Sequence, residues 1–135
     1  MHLTLDEIYA LLSCGDAAQR QLGIRAAEGL TQLYPFILPR LTLPLSSRAA
    51  WQGCAELLAL RSDEALSPHV YGLLAWLRDM TCPGAAVIYD RLQQMPWKLL
   101  AHALLLRMAE AQQLEDDGWL ICLRAFEEEY RHNHA

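Results

Sequence analysis

Apolar residues recur along this chain at helical intervals, and no stretch of useful length alternates as a half-buried strand would. Leu5, Ile8, Leu11 and Leu12 form the first set, opened by Thr4-Leu5-Asp6-Glu7. In that opening Thr4 fits an N-cap, and the Glu7 side chain can reach back to it in a capping box. Ser13-Cys14-Gly15 ends the helix and Asp16 caps the next. The second helix is expected to carry Leu22, Ala26 and Leu30 on one face, with Arg20, Arg25 and Glu28 elsewhere.

Residues 34–47 hold Pro35, Pro39 and Pro44, which forbid a long helix and predict a structured loop. The helical pattern returns at Arg48, with Trp51, Cys54, Leu57 and Leu58 inward, and breaks at Arg61-Ser62-Asp63-Glu64. Ser67-Pro68 reads as a new start, because proline at the first helical position loses nothing by lacking an N–H. Val70, Leu73, Leu74 and Leu77 follow it. Pro83, within Cys82-Pro83-Gly84, is expected to open a helix through Val87, Ile88 and Leu92. Pro96 is expected to open another, carrying Leu99, Leu100, Ala103, Leu104 and Met108. A last helix from about Asp117 to Tyr130 carries Trp119, Leu120, Leu123 and Phe126. The expectation is all-α: about seven helices in stacked antiparallel hairpins, a HEAT-like α-solenoid forming one domain over 1–135.

Length and composition agree with a globular domain, since 135 residues suffice for one core and 53% of them are hydrophobic. No apolar run approaches the roughly 20 residues a membrane-spanning helix needs, and acid stands where a signal peptide would carry base. A cytoplasmic protein away from the membrane is expected. The cysteines at 14, 54, 82 and 122 are too far apart for local zinc or redox pairs, and read as small buried hydrophobes.

The net charge of −5 is unevenly placed. Residues 1–109 hold nine acids and nine bases, whereas 110–135 hold seven acids against Arg124 and Arg131. That field is opposite to what nucleic acid requires. Chemistry is equally thin. The histidines at 2, 69, 102, 132 and 134 include no pair spaced for a helical metal site, and no phosphate loop or nucleophile elbow occurs. His102 is expected at a helix interface, and His132-Asn133-His134 at a terminus without fixed partners. Asp63-Glu64 and Glu115-Asp116-Asp117 sit where helices begin, so they suit the positive end of the macrodipole better than catalysis. Glu127 precedes Arg131 by four residues in the favourable orientation. No enzyme activity, cofactor or metal is expected.

Four tryptophans remain. Trp51 and Trp119 fit core positions, Trp76 the edge of its stripe, and Trp97 the start of a helix. Core or edge packing is the ordinary role of each, although an exposed tryptophan would be a binding hot spot.

The segment Leu73-Leu74-Ala75-Trp76-Leu77-Arg78-Asp79-Met80-Thr81-Cys82-Pro83-Gly84-Ala85 resembles the signature of a bacterial family of uncharacterised HEAT-like helical proteins. Members typically read LLxWLQD, then Met or Leu, then Asn-Trp-Pro and a small residue. Flanking pieces are similar too: Trp51-Gln52-Gly53-Cys54-Ala55 with Ser62-Asp63-Glu64-Ala65-Leu66, Asp16 to Leu30, and Asp116-Asp117-Gly118-Trp119-Leu120. The likeness spans about residues 14–125 and departs at Thr81-Cys82, where the family usually has Asn-Trp. It implies architectural roles: Trp76 over the joint between helices, Asp79 near a helix end and Pro83 restarting the chain. Relatives are often encoded beside polymorphic toxins, which implies an immunity protein whose protein partner is a basic toxin domain. A general HEAT-like adaptor is the alternative. Candidate contacts are Glu115, Asp116, Asp117, Glu127, Glu128, Glu129 and Trp97.

Overall fold

The computed structural model of the chain describes residues 4–12, 16–27, 36 and 48–134. Eight α-helical segments are present among them: α1 (Leu5–Leu12), α2 (Ala17–Ala27), α3 (Arg48–Ala59), α4 (Asp63–Leu66), α5 (Val70–Leu74), α6 (Ala85–Gln93), α7 (Trp97–Gln113) and α8 (Asp117–Asn133). Short 3₁₀ turns at Ser67–His69 and Ala75–Arg78 join α4 and α5 into one helical rod over 63–78. Counted that way there are seven rods and, among the described residues, no strand. Among the described residues α1 packs on α2 and α3, α2 on α3, α3 on α6, α5 on α7, and α8 on α6, α7 and the Ala75–Arg78 turn. That pattern is a stack of helical hairpins. No helix among the described residues is long and apolar enough to cross a membrane.

Local chemistry sets several helix starts. The Thr4 amide donates to Glu7 Oε1 at 3.0 Å and the Glu7 amide to Thr4 Oγ1 at 3.2 Å, which completes the capping box. Asp16 Oδ1 accepts from the Ala18 amide at 3.0 Å, as expected of a cap. Two starts differ from the sequence reading. The rod over 63–78 begins at Asp63, four residues before Ser67 and where Asp63-Glu64 suit a helix start, because Ser62 Oγ already accepts from the Ala65 amide. Pro68 then tightens the chain into a 3₁₀ turn instead of opening a helix, since it supplies no N–H to the backbone ladder. Likewise α6 begins after Gly84, at φ 87°, and Pro83 stays in the preceding turn. A Cβ at Gly84 would lie 2.7 Å from Ala55 Cβ and 2.8 Å from Trp51 O, so the turn is laid directly on α3.

The expected face of α2 is also corrected. Ala26 packs partly buried against the core as expected, but Leu22 is half exposed, and the buried residues are Gly23, Ile24 and Ala27. The reason is close approach: a Cβ at Gly23 would meet Leu11 Cβ at 2.9 Å, so α1 seats on the small side of α2. Arg20, on α2, reaches Glu56 of α3 at 2.9 Å. Leu30, Cys14 and, apart from the buried Phe36, the proline-rich loop at 34–47 lie outside the described residues.

Elsewhere the inward stripes are as read. Cys54, Leu57, Leu58, Val70, Leu73, Leu74 and Leu77 join Ile88, Leu92, Leu100, Leu104, Trp119, Leu123 and Phe126 in one core. Each fully buried large apolar side chain contributes about 1.5–3 kcal/mol of transfer free energy. Trp76 is buried and not at the stripe's edge: its ring lies 5.3 Å from that of Trp51 and beside Gly84, sealing the joint between α3 and the turn before α6.

Candidate partner-binding surface

The six acidic candidates do not form one patch. Glu115, Asp116 and Asp117 surround the start of α8, whereas Glu127, Glu128 and Glu129 lie in its last third. A helix rises about 1.5 Å per residue, so the groups are some 15–18 Å apart, about two screening lengths at physiological salt.

Within each group the roles differ. Glu115 is exposed and takes φ 55° just past the C-cap of α7. There its amide donates to Gln112 O at 3.1 Å, and the Asp116 amide donates to Ala111 O at 2.9 Å, a Schellman pattern that usually takes glycine. Asp116 caps α8 by accepting from the Trp119 amide at 3.2 Å, and its other oxygen lies 2.7 Å from Arg78 Nε. Asp117 is exposed in the first turn. Glu127 pairs with Arg131 at 3.2 Å, the i,i+4 contact expected. Glu129 accepts from the Tyr89 hydroxyl on α6, and burial followed by that bond pushes the Tyr89 phenol upward. Glu128 is exposed. Asp117, Ile121, Arg124 and Glu128 thus share the outward face of α8.

Sequence reading missed a charged knot beside the acids. Arg107 is buried on α7, where it occupies the inward stripe with Leu100, Leu104 and Ala111. Its Nε donates to Tyr71 O at 2.8 Å, its Nη1 meets Glu110 Oε2 at 2.7 Å, and its guanidinium lies 3.5 Å above the Tyr71 ring. The Tyr71 hydroxyl donates to the same Glu110 oxygen at 2.7 Å. That bond, then the Arg107 bond, hold the Glu110 carboxyl below its usual range, and the carboxylate in turn raises the Tyr71 phenol. Arg78 and Arg107 both approach the Trp119 ring, whose indole N–H donates to Leu74 O at 3.3 Å. These groups are committed to joining α5, α7 and α8. An arginine standing in an apolar i,i+4,i+7 row was the available signal.

Trp97 is remote from Glu115, Asp116 and Asp117. It follows the N-cap Pro96 and is 37% exposed, with its ring 5.2 Å from that of Tyr130. Trp97, Tyr130, Arg131 and His134 line an open cleft of about 350 Å³. His134 stacks on Tyr130 at 4.0 Å, and its Nε2 lies 2.7 Å from Gln93 O, so this histidine has fixed partners after all. His102, expected at an interface, is exposed, since it falls on the side of α7 opposite Leu100 and Leu104. Among the described residues no three His, Cys, Asp or Glu side chains gather as a metal site would need. Cys54 is buried, which pushes its thiol up to about 12, while Cys82 and Cys122 are partly buried.

Comparison with known protein families, with curated proteins and with solved structures finds no match to this chain.

Proposed function

We propose that this chain is a non-catalytic protein-binding domain acting as an immunity protein: it binds one bacterial toxin and blocks it. The supporting observation is the placement of charge. The whole formal excess of −5 falls within residues 110–135, and of those acids Glu115, Asp117, Glu128 and Glu129 are exposed. Acid at both ends of α8 speeds encounter with a basic partner and suppresses wrong ones. The resemblance to the HEAT-like family points the same way. The non-catalytic part rests on the use of ionisable groups: Arg20–Glu56, Arg91–Asp63, Arg78–Asp116 and Arg107–Glu110 each serve a seam or a cap.

The test is co-purification with the product of the neighbouring gene, repeated with Glu115→Lys, Asp117→Lys and Glu128→Lys combined. These three leave the Asp116, Glu127 and Glu129 contacts in place. The expected result is a one-to-one complex whose association slows at least severalfold in the variant and loses salt dependence. A complex with an unchanged on-rate removes the electrostatic role. Stable binding to a protein that is not toxic favours the adaptor reading.

A further inference from the structure

The cleft between the start of α7 and the end of α8 has a composition of its own. At about 350 Å³ it lies at the small end of the ligand-pocket range, roughly 300–1,000 Å³. Its walls are the Trp97 and Tyr130 rings with the His134 imidazole stacked behind. Among the described lining residues Arg131 supplies a fixed positive charge, and none of them is an Asp or Glu. The Arg131 side chain is 72% exposed, so its contact with Glu127 leaves guanidinium N–H groups facing solvent. Trp, Tyr and Arg are the residue types that dominate interface hot spots, and three of the four lining residues are of these types.

We propose that this cleft receives an aromatic side chain of the partner protein that has a carboxylate beside it. The ring stacks on the exposed face of Trp97, and the carboxylate meets the Arg131 fork. A lysine or methylated ammonium is the wrong occupant, because the nearest charge is already positive. The proposal rests on the protein-binding reading and adds a second anchor to it. Across the 17 residues of α8 the cleft lies about 25 Å from Asp117, so contacts at both ends would fix a partner along the helix.

The full chain, labelled with ¹⁵N, is titrated with N-acetyl-phenylalanine and separately with N-acetyl-phenylalaninamide, following the indole N–H signal of Trp97. The expected result is a saturable shift with a dissociation constant of about a millimolar or tighter for the carboxylate probe. The amide should bind at least threefold more weakly. Arg131→Gln should abolish that preference, and Trp97→Ala, with its helical circular dichroism unchanged, should abolish the probe-induced shifts of the Tyr130 and His134 backbone amides seen in the wild-type chain. No saturable shift at Trp97, or equal binding of the two probes to the wild-type chain, overturns the proposal. Probe binding by a chain that neutralises no toxin would remove the immunity reading and leave the cleft standing. Neutralisation without probe binding would do the reverse.

Discussion

Gly53 and Gly118 both lie inside helices, and the same change to alanine is expected to have opposite signs at the two. Alanine is favoured over glycine in a helix interior by about 1 kcal/mol. At Gly118, exposed in the first turn of α8, an added Cβ would meet Asp116 Oδ1 at 3.9 Å, an ordinary contact. Gly118→Ala should therefore stabilise by about 0.5 kcal/mol. At Gly53, on α3, the Cβ would lie 2.5 Å from Leu12 O, 2.8 Å from Leu12 Cβ and 2.9 Å from Leu12 Cα. Two of these are backbone atoms, so no rotamer change relieves them. Ordinary carbon contacts sit near 3.5–4.0 Å, which obliges α1 to retreat by roughly 1 Å and forfeits a quarter to a half of each dispersion contact along that seam. Overpacking of this kind costs about 1–3 kcal/mol. Because two backbone atoms stand in the way, the cost falls at the upper end of that range, and after the gain in propensity Gly53→Ala should lose about 2 kcal/mol and about 5 °C in Tm. Urea titration read by tryptophan fluorescence measures both variants. A Gly53→Ala protein as stable as wild type would refute the close seating of α1 on α3.

Four further tests address other parts of the structure. Glu115→Gly should raise stability by about 0.5–1 kcal/mol in the same titration, because it relieves a left-handed backbone at a position that usually takes glycine. A loss would show that Glu115 makes a compensating contact. Arg107→Ala should cost about 2–3 kcal/mol, and Arg107→Lys should not restore it, since one ammonium cannot replace the fork that joins Tyr71 to Glu110. Glu110 is held below its usual range by the Tyr71 and Arg107 bonds, so its stabilisation is complete above the normal carboxylate pKa and is lost as pH falls through the lowered value. Glu110→Gln should accordingly flatten the acid limb of a stability–pH profile. In native protein at pH 8, Cys54 should be alkylated only as fast as the chain unfolds, because its thiol is buried and pushed up to about 12. Peptide mass spectrometry after iodoacetamide treatment checks this.

Features that depend on a few neighbouring residues were legible in the sequence. The Thr4–Glu7 box, the Asp16 cap and the Glu127–Arg131 pair each span four residues or fewer, and the stripe Val70, Leu73, Leu74, Leu77 repeats with the helix itself. What was misread depends on a second rod. Ser62 and Ser67 both look like caps, and local pattern cannot tell a proline that starts a helix from one absorbed by a 3₁₀ turn. The Gly23 seam hid behind Leu22, a larger residue that propensity and hydropathy both favour for the interior. Trp76 became buried because Gly84 and Trp51 come to it from other elements. The candidate site followed the same rule: charge sums identified the acids, but not that Asp116 and Glu129 are tied to Arg78 and Tyr89. The Trp97 cleft joins residues more than 30 positions apart and has no sequence signature.

Co-expression in a growing bacterial culture is the most direct measurement of the central claim. The product of the neighbouring gene is induced with and without this chain, and colony survival is counted. Survival should return with the wild-type chain and fall when Glu115, Asp117 and Glu128 are reversed together with Trp97→Ala. Undiminished killing in the presence of the folded wild-type chain, with no complex recovered, would contradict the immunity function.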